Sequence, residues 1–208
     1  MEDIIKERIL VLDGALGTMI QQYGLTEADF RGEEFKNHPV KLEGNNDILV
    51  LTRPDIISNI HRQYLEAGAD IIETCTFNSQ AISQTEYQTT DFVYRINLEA
   101  ARLARQEADR MTALTPDKPR FVAGSVGPTA KMTSMSPDVE NPALRAVDYD
   151  TLCKAYVEQM EALMEGGVDA LLIETMFDTL NAKAALCAAR EVFQTIGRRV
   201  PVMLSVTV

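Results

Sequence analysis

Tryptophan is absent from this chain of 208 residues, and histidine and cysteine are scarce, with two and three copies. Three cysteines without a closely spaced pair argue against a disulfide framework and favour a reducing compartment. The sequence also lacks a cysteine and histidine cluster with metal-binding spacing, and no nucleophile stands beside a base. We therefore predict neither a metal ligand nor a catalytic residue within this chain.

Long apolar runs and an excess of basic residues are lacking as well. No stretch approaches the roughly 20 apolar residues that span a bilayer, and the N-terminus lacks the features of a signal peptide. The formal net charge is -11, which disfavours nucleic acid and anionic membranes as partners because both bind basic surfaces. We therefore expect a cytoplasmic protein that binds neither.

The sequence does contain short apolar runs that alternate with longer amphipathic stretches. Each run is rich in leucine or β-branched residues and is bounded by Gly, Pro or Asp, as is typical of parallel strands buried on both faces. The five predicted strands cover residues 9–12, 69–74, 120–126, 169–174 and 200–206.

The amphipathic stretches between these runs predict helices. Apolar residues recur at helical spacing in each, and two of the stretches end at Gly166 and Gly197, which are typical helix stops. Thr52 and Asp55 are spaced to form a capping box at the first of them. The four predicted helices cover residues 54–67, 91–111, 150–166 and 179–196.

A weak internal repeat helps to choose between fold classes. Residues 66–70 read Glu-Ala-Gly-Ala-Asp and residues 165–169 read Glu-Gly-Gly-Val-Asp, and each leads from a helix end into a strand. Repeated βα units, without a Gly-x-Gly-x-x-Gly motif after the first strand, favour a (β/α)8 TIM-barrel type over a doubly wound open sheet.

The predicted elements are too few for a closed barrel. Five parallel strands and four helices fall short of the eight of each, and of the about 250 residues, that a complete barrel needs. Such an incomplete barrel would expose strand edges, so we expect aggregation, oligomers or partial order unless a partner covers them. The alternative is a complete, smaller domain of another kind.

Barrel enzymes carry their active sites at the carboxyl ends of the strands, which directs attention to the polar residues there. Asp13 and Gly14 follow the first predicted strand, Thr76, Phe77 and Asn78 follow the second, and Glu174 ends the fourth. Cys75 and Glu174 both lie five residues after an aspartate of the repeat, so both are expected to face the barrel mouth.

Each candidate also has a purely structural interpretation. Asp13 could be a turn residue before Gly14, since Asp-Gly is common in turns. Glu174 could form a structural salt bridge, although a substrate ammonium is the more specific interpretation for a carboxylate at a dry strand end, which needs a cationic partner. Cys153 and Cys187 lie in predicted helices and are interpreted as small packing residues, and neither histidine is placed in the site.

Several of these segments together resemble one known family. They are similar to the N-terminal, homocysteine-binding domain of cobalamin-dependent methionine synthases, and the similarity extends from about residue 8 to the last residue. The stretch 177–184 and the long insertion 18–52 are typical of the cobalamin-dependent members. The matching segments are residues 12–19, 68–74, 76–79, 122–129, 136–139 and 173–184.

The resemblance implies a (β/α)8 barrel of which residues 1–208 are the N-terminal part, without the later cysteines that hold the family's zinc. It implies that Asp13 and Glu174 receive the ammonium of homocysteine. Gly14 and the segment Thr76, Phe77 and Asn78 would form parts of the pocket wall. Cys75 departs from the family, which usually has asparagine at this position.

The resemblance also implies the reaction and its partners. In the complete enzyme, zinc binds the homocysteine sulfur as thiolate, which takes the methyl group of methylcobalamin, itself charged by 5-methyltetrahydrofolate on other domains of the polypeptide. We expect this chain alone to be inactive and to bind neither zinc nor cobalamin. The alternatives are a homocysteine S-methyltransferase using another donor, such as betaine or S-methylmethionine, and a non-catalytic half-barrel.

Overall fold

The computed structural model describes residues 1–207 and contains one parallel sheet. Its strands follow the order β1-β2-β3-β4, so that strands adjacent in sequence are hydrogen-bonded neighbours, as in a (β/α)8 barrel. The strands are β1 (Ile71–Glu73), β2 (Phe121–Val126), β3 (Ala170–Met176) and β4 (Val202–Val206).

Helices fill the connections between the strands and also much of the segment before β1. Three short 3-10 turns, 46–48, 85–87 and 90–92, accompany them. The helices are α1 (Ile4–Glu7), α2 (Leu16–Gln21), α3 (Glu27–Arg31), α4 (Leu49–Thr52), α5 (Pro54–Ala67), α6 (Ala81–Gln84), α7 (Val93–Leu114), α8 (Tyr149–Glu165) and α9 (Thr179–Ile196).

The prediction of a full first strand at residues 9–12 is wrong. This segment runs parallel to β1 but forms only one isolated bridge, between Leu12 and Ile71. Two of its apolar side chains remain open to solvent, with Ile9 86% and Val11 54% exposed, while Leu10 is half-buried. With one neighbouring strand and little burial, the segment stays extended without forming a regular ladder, so the sheet has four strands rather than five.

The four long predicted helices correspond to α5, α7, α8 and α9, with small shifts at their ends. The predicted capping box of Thr52 and Asp55 is wrong, because α5 begins at Pro54 with Arg53 as its N-cap. Proline favours the first helical position, where its missing N–H would have no partner. Thr52 belongs to α4, and its hydroxyl donates to the carbonyl of Ile48 at 3.5 Å.

The internal repeat corresponds to a repeated structural unit. Asp70 Oδ2 accepts the N–H of Val11 at 2.9 Å, and Asp169 Oδ2 accepts the N–H of Val122 at 2.8 Å. Each aspartate thereby holds the start of the preceding extended segment, and each pairs with an arginine, Arg8 or Arg105. The repeated Asp therefore fixes the sheet register at its amino end, opposite the candidate site.

Two large apolar clusters hold the fold together, with a small third one formed by Ile71, Ala123 and Leu172 of the sheet. The larger lies between the sheet and α7, α8 and α9, and includes Tyr156, Leu163 and Ile173. The second packs the insertion 18–52 against α5 and α7. Outside them, β4 exposes apolar side chains, with Leu204 48% and Val206 62% exposed. No helix within residues 1–207 has the length and apolar character needed to cross a membrane.

His61 of α5 makes the fold sensitive to acid. It is fully buried and neither ring nitrogen has a hydrogen-bond partner. Burial lowers the pKa of His61 to about 4, against a smaller raising effect of Glu107. Since the unfolded chain takes up this proton near pH 6.5 and the folded chain does not, stability falls as the pH drops through that interval.

We therefore expect a His61→Leu variant to lose less stability on acidification than the parent protein. Between pH 7 and pH 4.5 the parent should lose about 2–3 kcal/mol more than the variant, because its unfolded chain takes up a proton that the buried imidazole of the folded chain does not. Denaturant unfolding at both pH values measures this difference. Parallel pH dependence in the two proteins would contradict the assignment.

Candidate functional site

A cavity of about 500 Å³ opens where β1, β2 and β3 end. Strand ends, the start of α2, the 3-10 turn at 46–48 and the segment after β1 contribute its wall. Its lining residues are Gly14, Ala15, Leu16, Gly17, Gly44, Asn45, Asn46, Asp47, Glu73, Thr74, Cys75, Thr76, Phe77, Asn78, Ser83, Glu86, Tyr87, Ser125, Ala130 and Glu174. Five of the six predicted binding residues therefore meet at one cavity.

Asp13, the sixth, lies directly behind the cavity wall. Its Oδ2 accepts the N–H of Glu73 at 3.0 Å, while its Oδ1 is buried without a partner. Burial raises the pKa of Asp13 to about 7, and the charge of Glu174 adds to this, against the lowering effect of the Glu73 N–H. Asp13 is therefore electrostatically coupled to Glu174 and keeps one oxygen free to accept a hydrogen bond.

Glu174 reaches the cavity through an irregularity in β3. The pairing of β3 with β4 shifts between Ile173 and Met176, and Thr175 has φ +57°, a left-handed conformation that is unusual for a β-branched residue. Bulges of this kind redirect side chains and are common beside functional sites. The Glu174 carboxylate accepts a hydrogen bond from Ser125 Oγ, and burial raises its pKa.

Glu73 is a third carboxylate at the site, and the sequence analysis did not select it. Burial raises its pKa to about 8, with further contributions from the charges of Glu174 and Asp13. Its position as the last residue of β1 was the available signal, but the sequence alone does not show that its backbone N–H binds Asp13. Three coupled carboxylates therefore form an acidic edge, in which Glu73 and Glu174 line the cavity and Asp13 lies behind them.

This acidic edge has no internal counter-charge. No Lys, Arg or His side chain among residues 1–207 forms an ion pair with Asp13, Glu73 or Glu174. The structural salt bridge considered for Glu174 is therefore not formed in the described part of the chain. Partly buried carboxylates that repel one another favour a bound cation, because it relieves the repulsion and replaces lost hydration.

The segment after β1 forms the facing wall. Thr76 is fully buried and its hydroxyl donates to the carbonyl of Ser125 at 2.7 Å, whereas Asn78 is exposed. The N–H of Gly127 donates to the carbonyl of Phe77 at 3.1 Å, which joins this wall to the end of β2. Gly14 leaves room for Tyr64, whose hydroxyl would lie 3.2 Å from an added Cβ.

The insertion 18–52 completes the wall of the cavity, and the sequence analysis did not predict this role for it. Asp47 is buried and its Oδ2 accepts the N–H of Asn78 at 2.8 Å. Asn45 donates to Gln84 Oε1 at 2.8 Å, and Gln84 Nε2 donates to the carbonyl of Asn78 at 3.1 Å. These buried hydrogen bonds hold the insertion against the segment after β1.

Cys75 lines the cavity, but its thiol is not free. The side chain is 2% exposed and packs in the apolar cluster between the insertion and helices α5 and α7. Its Sγ donates to the carbonyl of Asn46 at 3.5 Å, and burial together with the Asp47 charge raises the thiol pKa. A thiol held in its protonated form in this way is a poor nucleophile and a poor metal ligand.

A zinc ion does not fit the donors present. Throughout residues 1–207, no three or more His, Cys, Asp or Glu side chains are arranged to hold a metal. Cys153 and Cys187 lie on α8 and α9 and do not line the cavity, and Cys75 is buried against a carbonyl. The described residues therefore do not form a zinc site at this cavity.

Comparison with known proteins places this geometry in context. The sequence profile of the family described as homocysteine S-methyltransferase matches residues 10–208. The metallated form of the homocysteine methyltransferase MmuM from Escherichia coli has a TM-score of 0.71 at 20% identity, covering 97% of this chain and 64% of that one. The oxidised form has a TM-score of 0.69 at 22% identity, covering 94% and 61%.

The structural likeness at these identities concerns the fold. It confirms the α/β class of the incomplete barrel type, here with a parallel sheet of four strands. The chain spans less than two thirds of the length of the MmuM structures that it matches.

Proposed function

Because this chain belongs to the homocysteine S-methyltransferase family, we propose that its acidic cavity binds homocysteine. The observation that carries the proposal is the edge formed by Asp13, Glu73 and Glu174, which lacks a basic partner within the described residues. The ammonium of an amino acid would supply the missing positive charge. The side chain of the ligand would then extend toward the wall formed by residues 76–78.

In this proposal the residues of the chain bind and orient the substrate. The Glu174 carboxylate would accept a hydrogen bond from the ammonium while it also accepts the hydrogen bond from the Ser125 hydroxyl. The unpartnered Asp13 Oδ1 would accept a second hydrogen bond. The buried hydrogen bonds of Asp47 and Gln84 would keep the opposite wall in place and limit access of water.

We further propose that the complete protein is a cytoplasmic methionine synthase that takes the methyl group from methylcobalamin. The support is the resemblance of residues 177–184 and of the insertion 18–52 to the cobalamin-dependent members. In that protein, zinc would supply the activated thiolate, held by segments that this chain does not contain, and other domains would bind cobalamin and folate. This chain alone would then bind homocysteine without methylating it.

Calorimetric titration with L-homocysteine tests the binding proposal. We expect saturable binding of one homocysteine per chain at neutral pH. The matched analogue without the amino group, 4-mercaptobutanoate, should bind much more weakly because it cannot neutralise the acidic edge. Equal affinity for the two ligands, or binding of neither, would contradict the proposal.

A further inference from the structure

The stretch 177–184 takes no part in the acidic edge, yet its first polar residue is almost fully buried. Asp178 lies between β3 and α9 and is 3% exposed. Within residues 1–207, no basic side chain forms an ion pair with it. A buried carboxylate without a cationic partner needs several hydrogen-bond donors to remain charged.

Each oxygen of the Asp178 carboxylate binds a different segment of the chain. Oδ1 accepts the N–H groups of Leu180 at 2.8 Å and Asn181 at 3.3 Å, and so caps the start of α9. Oδ2 accepts the N–H groups of Thr133 and Ser134, both at 3.0 Å, and the Thr133 hydroxyl at 3.3 Å. Burial acts to raise the pKa of Asp178, but the hydrogen bonds with these two segments lower it to about 2.

Asn181 makes a second connection from α9 to the segment that contains Thr133. Its side chain is 1% exposed, and its Nδ2 donates to the Thr129 hydroxyl at 2.8 Å. The Thr129 hydroxyl in turn donates to the carbonyl of Lys131 at 2.6 Å. Residues 129–134, the rim segment, are therefore held at both ends by the first turn of α9.

The rim segment reaches the cavity through Ala130. This residue lines the cavity, and its N–H donates at 3.1 Å to the hydroxyl of Ser83, which is another lining residue. The rim segment also continues the chain from β2, where the Ser125 hydroxyl donates to Glu174. Displacement of the rim segment would therefore open one side of the cavity without removing any residue of the acidic edge.

We propose that Asp178 is a positioning residue of the substrate site, which holds the rim segment where homocysteine needs it for tight binding. This inference rests on the proposed function, because it concerns the same site. Asp178 does not line the cavity, so it acts through the backbone of Thr133 and Ser134. Its Oδ2 holds the rim segment, while its Oδ1 serves the helix alone.

The Asp178→Asn substitution separates the roles of the two oxygens. Asparagine caps helices as well as aspartate does, so its carbonyl oxygen keeps the cap of α9. Its amide nitrogen is only a donor and cannot accept the N–H groups of Thr133 and Ser134. We expect the calorimetric affinity for homocysteine to fall about tenfold, as for the loss of one hydrogen bond to a charged group.

Amide hydrogen exchange gives a readout that a purely structural role of Asp178 would not change. In the parent protein, saturating homocysteine should slow the exchange of the rim-segment amides, because the bound ligand favours the closed rim. Without ligand, the same amides should exchange faster in Asp178→Asn than in the parent. The amides of β2 should exchange alike in the two proteins.

Asp148→Asn is the matched control. Asp148 caps α8 by accepting the N–H of Thr151 at 2.7 Å, as Asp178 caps α9. It is exposed, and it neither lines the cavity nor binds the rim segment. This variant should therefore bind homocysteine with the affinity of the parent protein.

The results separate this inference from the proposed function. The role of Asp178 is overturned, while homocysteine binding stands, if Asp178→Asn binds as the parent does or if Asp148→Asn loses as much affinity. It is equally overturned if homocysteine leaves rim-segment exchange unchanged in the parent, a measurement that does not depend on whether a variant folds. A parent protein that binds no homocysteine would instead overturn the proposed function, and this inference with it.

Discussion

Replacing Glu174 with alanine is expected to weaken homocysteine binding by roughly 30- to 150-fold, or about 2–3 kcal/mol. A partly buried ammonium would lose one charged acceptor, while Asp13 and Glu73 remain to bind it more weakly. The Glu174→Gln variant should lose a similar amount, because glutamine keeps an acceptor for Ser125 but carries no charge. Calorimetric dissociation constants at pH 7 measure both effects.

The control for this prediction is Glu191→Ala. Glu191 is an exposed residue of α9 that does not line the cavity, so its removal should leave the affinity unchanged. Thermal unfolding of each variant separates loss of binding from loss of structure. An alanine at position 174 that folds normally and binds homocysteine as the parent does would exclude a binding role for Glu174.

The second large effect is expected for Gly127→Ala. An added Cβ at Gly127 would lie 2.4 Å from the carbonyl oxygen of Phe77 and 2.9 Å from the nearest atoms of the Phe77 ring. Backbone contacts this short cannot be relieved by a rotamer change, so the segment after β1 must move. We expect a loss of about 3 kcal/mol in the free energy of unfolding, together with weaker homocysteine binding.

Gly17→Ala is the matched control because the nearest atom to its added Cβ, Asn46 Nδ2, is 3.7 Å away. This substitution should change stability by no more than about 0.5 kcal/mol. Denaturant unfolding of the two variants side by side gives the comparison. If Gly127→Ala proved as stable as Gly17→Ala, the close packing of Phe77 on Gly127 would be refuted.

The sequence was informative about the ends of the buried strands. Apolar runs bounded by Gly, Pro and Asp predicted β2 and β3 well, because burial on both faces leaves a nearly continuous hydrophobic pattern. The prediction of a first strand at residues 9–12 was wrong. Its apolar residues resemble those of the buried strands, yet Ile9 and Val11 remain exposed. The hydrophobicity of a segment shows that it can be buried. Only the packing of the folded chain shows whether a neighbouring element covers that segment.

The candidate site was also predictable only in part, because the sequence does not show which contacts form in the folded chain. Polar residues at strand ends identified Asp13 and Glu174, since strand order fixes where those ends meet. Glu73 and Asp47 were missed because their roles depend on contacts over a long sequence separation, with Asp13 and Asn78. The bulge that carries Glu174 likewise leaves no simple pattern in the sequence.

The most direct test of the acidic edge is the number of protons released when homocysteine binds. Burial and mutual repulsion raise the pKa of Asp13 to about 7 and that of Glu73 to about 8, so the free site holds protons at neutral pH. An arriving ammonium favours the carboxylate forms and should displace on the order of one proton at pH 7.

Calorimetric titrations in buffers of different ionisation enthalpy give this number as the slope of the observed enthalpy. The account predicts proton release with homocysteine and none with 4-mercaptobutanoate, which retains the thiol and so controls for thiol ionisation. Homocysteine binding without proton release, or equal release with both ligands, would contradict the claim that these carboxylates receive the ammonium.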